Sequence, residues 1–195
     1  MTLLKEVNTP VFKAEGIPVV AEKEYRLRVT GLVGEPAEFS LARIKELPFS
    51  RVDARLTSVS GFSVRAPWEG VLWRDFQREL SLEERASHVI FTSLKGYSTC
   101  LPLKDLDHPR VLLVYAVDGE AIEREYGWPL RLLVPHRWGY KSCKWLGTIT
   151  FTAKMEGGFW EDRGYSREGF IEPGLTFDLN TGKHRQIQGG EVIEF

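Results

Sequence analysis

The residues best suited to chemistry in this sequence lie in one short segment, residues 139–145. It places Lys141, Ser142 and Lys144 close together, shortly after the apolar run 130–134. This pattern is typical of a strand that ends in a turn, where cations, backbone N–H groups and a hydroxyl can meet at one point. Such a turn suits a phosphate-bearing ligand. The alternative for the segment taken alone is a solvated basic turn.

A second candidate is Ser58, at the end of a predicted strand. The even positions over residues 52–60 share one face, which begins with apolar residues and therefore points into the core. Ser58 would then lie at the end of a buried row and not on the surface. Downstream, Arg65 and Arg137 are candidates for attracting an anionic substrate, and both could equally be solvated.

The composition excludes several classes of protein. The chain has 195 residues, with 26 basic and 27 acidic ones and a net charge of -1, so it has no global positive field for nucleic acid. Two cysteines make neither a disulfide framework nor a zinc site. No apolar run is long enough to span a bilayer, and the N-terminus has no signal-like apolar region. We expect a cytoplasmic protein.

The order of elements predicts an α+β fold of mixed β-sheets with a few short helices. Ser40 is expected to cap a short helix, and Asp118-Gly119 is expected to form a hairpin turn. We interpret residues 68–70 as a turn. Strands are predicted at residues 25–30, 52–60, 88–91, 99–103, 111–117, 130–134 and 146–151.

The C-terminal part of the sequence has a different residue pattern from the rest. Residues 177–183 predict a small hairpin, and residues 192–195 an additional edge strand. We interpret residues 1–167 as one domain and residues 168–195 as an appendage that packs on it.

Seven segments, taken together and in order, carry a family resemblance. They are residues 25–33, 59–64, 68–71, 96–103, 129–135, 139–145 and 158–165. This set resembles the molybdopterin-binding domain of the sulfite oxidase family, especially its small stand-alone prokaryotic members. The resemblance covers roughly residues 20–167 and implies the fold of that family.

The resemblance also implies a cofactor. In that family one molybdenum is held by the dithiolene of a pterin cofactor and by one cysteine thiolate, and the basic turn holds the pterin and its phosphate. For Tyr97 and Trp145, plain core packing is the alternative. Carried over to this chain, the cofactor-binding residues are Tyr97, Thr99, Arg131, His136, Tyr140, Lys141, Ser142 and Lys144.

The sequence departs from the family at the metal ligand. Where relatives have the ligand cysteine, this chain has Ser58, which becomes the candidate catalytic and metal-ligating residue, with Arg65 as a second catalytic candidate. A hydroxyl is a weaker acid and a harder donor than a thiol. Cys100 and Cys143 are the remaining thiols, although each is more typical of a small buried residue. Glu15 stands where many relatives place a histidine near the cofactor, and would have to point away from a phosphate.

Three hypotheses follow for function. The first is a molybdopterin-dependent oxidoreductase that transfers an oxygen atom to or from a small oxyanion or sulfoxide. It would need a separate electron-transfer protein, because the chain has no Cys-x-x-Cys-His haem motif. The second is a non-catalytic relative that keeps an anion or pterin pocket without the metal thiolate. The third is a serine hydrolase using Ser58 with His136 as base, for which the sequence has no Gly-x-Ser-x-Gly elbow.

Overall fold

The computed structural model describes residues 1–13 and 15–195. Its helices are short: α1 (Leu3–Glu6), α2 (Leu41–Lys45), α3 (Trp73–Gln77) and α4 (Leu103–Leu106), with 3-10 turns at Glu22–Glu24, Arg124–Tyr126, Gly139–Lys141 and Glu161–Arg163. The strands are β1 (Leu27–Gly31), β2 (Ala37–Phe39), β3 (Phe49–Ser58), β4 (Phe62–Leu72), β5 (His88–Ser93), β6 (Ser98–Pro102), β7 (Leu112–Val117), β8 (Glu120–Ala121), β9 (Arg131–Leu133), β10 (Leu146–Thr152), β11 (Gly174–Asp178) and β12 (Lys183–Ile187).

The strands form two mixed sheets. The first has the order β2-β1-β10-β5-β6, with β1 parallel to β10 and the other pairs antiparallel. The second runs β12-β11-β4-β7-β8, with β3 also paired to β4 and β9 to β7. The prediction of an α+β fold with mixed sheets and short helices is confirmed.

Two apolar clusters hold the sheets in place. One packs Trp73 and Phe76 of α3 against Phe91 and Phe151 of the first sheet, with ring centroids 5.4 Å apart between Trp73 and Phe91. The other lies on the second sheet around Trp68, whose indole Nε1 donates to the Ala54 carbonyl at 2.9 Å. The second cluster adjoins the cavity described below.

Two local predictions are confirmed. The Ser40 hydroxyl accepts a hydrogen bond from the Arg43 amide at 3.1 Å, which caps α2 at its N-terminus. Asp118 and Gly119 have positive φ angles and join β7 to β8 as an antiparallel hairpin.

The predicted turn at residues 68–70 is wrong. These residues lie inside β4 and pair with β7, with a β-bulge between Glu69 and Gly70. A Cβ at Gly70 would lie 1.9 Å from the Leu113 carbonyl oxygen. A glycine is therefore required because two strands approach closely at a bulge. Glycine is typical of bulges and of turns alike, so the sequence alone does not distinguish them.

The C-terminal residues extend the second sheet. The predicted hairpin is confirmed as β11–β12, and β11 pairs in parallel with the start of β4, next to the turn that carries Ser58. A buried ion pair between Arg55 and Asp178, 3.0 Å apart, fixes this contact. The expected strand at residues 192–195 is wrong: the segment has no strand pairing and is held instead by Val192 in a small apolar cluster and by Phe195, whose ring lies 3.9 Å from the Arg55 guanidinium.

Candidate functional site

A cavity of about 440 Å³ opens where the β3–β4 turn faces the 139–145 segment. The structure therefore brings together two parts of the chain that are more than eighty residues apart. The cavity falls within the usual size range of small-molecule sites. Six of the sequence-predicted residues line it: Ser58, Tyr97, Arg131, Tyr140, Ser142 and Lys144.

Ser58 is the last residue of β3, at the mouth of the cavity. Val52, Ala54 and Leu56 of the same strand face are buried, as the alternation predicts, and Ser58 is half-buried. Its Oγ lies 2.7 Å from the Ser60 Oγ and accepts from the Ser60 amide at 3.2 Å. The hydroxyl is thus held by its own turn, and no described histidine forms a hydrogen bond with it.

Arg131 of β9 is the most buried cation on the cavity. Its guanidinium donates to the carbonyls of Tyr126 at 2.8 Å and Ser142 at 3.4 Å, and its carbon lies 5.3 Å from the centre of the Trp68 ring. Burial lowers the pKa of Arg131 to about 10. Even so, it stays charged at neutral pH.

Lys144 supplies the second cation. Its ammonium donates to the Phe12 carbonyl at 2.5 Å and to the Glu125 carbonyl at 3.4 Å, and lies 4.4 Å from the Trp145 ring centre. Burial, followed by the charge of Arg131, lowers the pKa of Lys144 to about 7. Trp145 follows in a left-handed conformation, with φ of 51°, a strained geometry that ends the turn beside the cavity.

The electrostatics of the cavity call for an anion. Over residues 1–13 and 15–195, neither Arg131 nor Lys144 forms an ion pair, and each is bound only by backbone carbonyls. Burying such basic groups without an ion-pair partner is costly unless a negative group neutralises them. A phosphate-bearing ligand would provide that charge.

Neighbouring polar residues stiffen the turn. The Ser142 hydroxyl accepts from the Val134 amide at 2.9 Å, and the Tyr140 hydroxyl donates to the Ser166 carbonyl at 2.7 Å. The Tyr97 hydroxyl donates to the Tyr140 carbonyl, and its ring packs on Phe159. Burial raises the pKa of both tyrosines, that of Tyr140 to about 12, so both remain donors at neutral pH.

Lys141 does not face the cavity, contrary to the expectation from the motif. Its fully buried ammonium lies 2.5 Å from the Glu161 carboxylate and donates to the Cys100 carbonyl at 3.0 Å. Thr99, also expected at the cavity, is buried and donates to the same carboxylate at 2.6 Å. Glu161 thus neutralises Lys141 and joins the turn, β6 and the 158–165 segment.

His136, Arg65 and Arg137 also lie away from the cavity. His136 stacks on His108 with ring centroids 4.3 Å apart, and burial lowers its pKa to about 4. Arg65 makes a bidentate pair with Asp53 at 2.9 and 2.8 Å on the surface, and Arg137 pairs with Asp105. The proposed hydrolase pair of Ser58 and His136 is therefore not assembled.

Neither cysteine reaches the metal-ligand position. Cys143 is buried with its Sγ 3.5 Å from the Lys144 carbonyl, and Cys100 is buried in β6. Burial raises the pKa of both thiols, which keeps them protonated. In the part of the chain that the structure describes, no group of three or more His, Cys, Asp or Glu side chains could hold a metal ion.

The mouth of the cavity was not anticipated from the sequence. Phe12, Trp160 and Tyr165 form an aromatic rim of tilted rings, with centroids 5.1 Å apart between Phe12 and Trp160 and 4.8 Å between Trp160 and Tyr165. Trp160 and Tyr165 lie in the 158–165 motif, but Phe12 lies in an irregular segment without a periodic hydrophobic pattern. Glu15 also lines the cavity, and burial raises the pKa of its carboxyl above the usual value.

Comparison with known proteins decides the family. A family model described as the oxidoreductase molybdopterin binding domain matches residues 14–160. The chain belongs to this molybdopterin-binding oxidoreductase family. The resemblance to sulfite oxidase-type domains seen in the motifs is therefore confirmed.

Two curated relatives of this molybdopterin-binding domain illustrate its range. It is 35% identical to the uncharacterized oxidoreductase YuiH of Bacillus subtilis over 82% of both chains. It is 32% identical to the putative protein-methionine-sulfoxide reductase subunit YedZ1 of Azospira oryzae, over 73% of this chain and 54% of that protein. The match spans about half the length of several other curated relatives.

A solved structure shows the fold of this domain. The sulfane dehydrogenase SoxCD of Paracoccus pantotrophus superposes with a TM-score of 0.69 at 18% identity, over 90% of this chain and 47% of that one. The mixed-sheet fold of the family is thereby confirmed.

The cavity fits the organic part of the family's cofactor. Arg131 and Lys144 provide uncompensated positive charge for a phosphate, and Tyr97, Tyr140 and Trp145 provide flat surfaces for a ring. At the metal-ligand position the chain offers the hydroxyl of Ser58, with the Ser60 hydroxyl 2.7 Å from it. When bound, the molybdenum cofactor supplies the two-electron redox centre.

Proposed function

We propose that this domain is the catalytic domain of a molybdenum oxidoreductase that transfers an oxygen atom to or from a sulfur compound, a sulfoxide or a small sulfur oxyanion. The single observation that carries the proposal is the pair of uncompensated cations, Arg131 and Lys144, in a cavity beside Ser58. Binding of an anionic cofactor would neutralise these groups and so stabilise the folded domain.

The chain's residues divide the work between binding and shielding. Arg131 and Lys144 neutralise the anionic tail, and Ser142 and Tyr140 hold the turn that carries Lys144. The aromatic rim limits access of water, which strengthens the electrostatic interactions inside. Ser58 lies at the mouth, where a substrate enters.

The rim favours a sulfoxide over a free oxyanion. Phe12, Trp160 and Tyr165 offer apolar and polarisable surface to a thioether or alkyl group, and aromatic rings interact favourably with sulfur. Arg65 and Arg137, which could have attracted a small anion, are paired elsewhere. The methionine-sulfoxide reductase among the relatives supports the same substrate class.

The proposal is tested with the protein produced in a host that makes the cofactor. We expect stoichiometric molybdenum and pterin, and faster oxidation of a reduced viologen dye with methionine sulfoxide or dimethyl sulfoxide than reduction of ferricyanide with sulfite. Elemental analysis and pterin fluorescence after oxidative release give the content. Protein without pterin would refute the proposal, and faster turnover of sulfite would reverse the substrate preference.

A second candidate is a cofactor-binding protein without turnover. The observation in its favour is that no thiol lines the cavity among the described residues, since Cys100 and Cys143 are buried elsewhere. Electrons in either case would come from a separate protein.

A Ser58→Cys variant separates the two candidates. It restores a soft thiolate at the metal-ligand position, and we expect a thiolate charge-transfer band and an additional sulfur neighbour in X-ray absorption at the molybdenum edge. If the wild type reduces sulfoxide at a rate comparable to the variant, the non-catalytic candidate is wrong. If only Ser58→Cys turns over, that candidate is correct. Ser60→Cys, with a thiol two residues further along the same turn, serves as the matched control.

A further inference from the structure

A second depression lies on another face of the molecule. It is a broad open groove of about 1470 Å³ between α3, the loop that follows it, and the β6–α4 corner. Its floor is apolar, with Leu80, Leu82, Leu103 and Met155 all half-buried. An apolar floor bordered by polar side chains is the arrangement found in protein–protein interfaces.

The rim of the groove is strongly basic. Arg74, Lys104 and Arg167 are exposed and form no ion pair with any residue that the structure describes. Arg78 pairs with Asp75 at 2.8 Å, but its side chain stays 75% exposed. Against these four cations the lining has two carboxylates, Asp107 and Glu168. The concentration is local, since the whole chain has a net charge of -1.

We propose that this groove is the docking site of an acidic electron-carrier protein. The inference rests on the proposed function, in which a two-electron centre exchanges electrons with a separate protein. Carboxylates of such a carrier would pair with the rim, and its apolar contact residues would cover the floor. Complementary charge of this kind speeds encounter and fixes orientation.

One chain segment borders both the groove and the cavity. Arg167 and Glu168 on its wall precede Gly169, where a Cβ would lie 2.8 Å from the Lys141 side chain. The same chain segment carries Trp160 and Tyr165, which line the cavity mouth. A protein bound in the groove therefore rests on the segment that walls the cofactor cavity.

The test uses an oxidised acidic [2Fe–2S] ferredoxin as the probe and the full-length protein as the receptor. Titration calorimetry at low ionic strength should show binding that weakens with added salt. We expect the Arg74→Glu/Arg167→Glu variant to weaken binding about tenfold or more. The control Lys95→Glu/Lys183→Glu makes the same charge change at exposed residues outside the groove, and should change binding by less than about twofold.

Several results would overturn the inference. They are no binding of ferredoxin, equal weakening by both double variants, tighter binding of anionic lipid vesicles or duplex DNA at the same residues, and a homodimer that the groove variant dissociates. Failure of the proposed function is seen separately, as absence of molybdenum and pterin. In the cofactor-loaded groove variant, dye-linked sulfoxide reduction should be unchanged, and its loss would also contradict a docking role.

Discussion

A Lys144→Met variant should lose the pterin cofactor while remaining folded. The substitution keeps the apolar stem and removes one of the buried basic groups on the cavity. Removing one partner of a buried charge pair costs about 2–5 kcal/mol, so we expect affinity to fall on the order of a hundredfold. Pterin released per chain after gel filtration, with thermal unfolding as a measure of folding, checks this.

The same residue predicts a pH dependence. The pKa of Lys144 is lowered to about 7 by burial and by Arg131, and a bound phosphate would raise it. Between the free and bound pKa values, binding takes up a proton, so affinity should fall as pH rises above about 7. The amount of pterin retained per chain should decline from neutral to alkaline pH for the wild type. It should change less with pH for Lys144→Met.

The matched control is Lys183→Met, which removes an exposed lysine from β12. It should retain pterin as the wild type does at every pH. Full retention by Lys144→Met would show that this ammonium does not bind the cofactor. Arg131 would then be the buried cavity cation left with that role.

The second large effect is expected at Lys141. In Lys141→Met the Glu161 carboxylate stays fully buried without its cation, which destabilises a protein by about 3–5 kcal/mol. The free energy of unfolding from urea titration should show this loss. Arg28→Met breaks an exposed pair with Glu38, and should cost less than about 1 kcal/mol.

A double variant distinguishes the structural role of Lys141 from cofactor binding. Lys141→Met/Glu161→Met replaces the ion pair with apolar side chains, so most of the lost stability should return. Lys141 faces Glu161 and not the cavity. Any pterin that Lys141→Met loses through its lower stability should therefore be retained again by the double variant. Recovery of stability without recovery of pterin would restore Lys141 as a cofactor contact.

The two lysines of the motif show how far sequence reasoning reached. Their spacing correctly indicated a turn with cations, but a spacing of three residues does not determine which ammonium faces a ligand. That was decided by Glu161, twenty residues away, whose carboxylate meets Lys141 in the core. The sequence offered Glu161 only as a charged residue in the 158–165 motif.

Partners that are remote in the chain also explain the other differences between the predictions and the structure. His136 and Thr99 belong to segments that resemble cofactor-binding ones, yet His136 stacks on His108 and Thr99 donates to Glu161. The sequence predicts a turn at Gly70, whereas the structure requires a residue without a side chain there because β4 and β7 approach closely. In each case the deciding partner is remote in the chain.

By itself, the sequence determined the family, the α+β class, the capped helix, two hairpins and the loss of the ligand thiol, because these depend on residue types and short spacings. Only the tertiary structure decided that Arg131 and Lys144 share a cavity in which neither forms an ion pair with a described residue, that both cysteines lie outside it, and that aromatic side chains line its mouth. Charge compensation and burial depend on which distant side chains come within a few ångströms, and this is set by the packing of the two sheets.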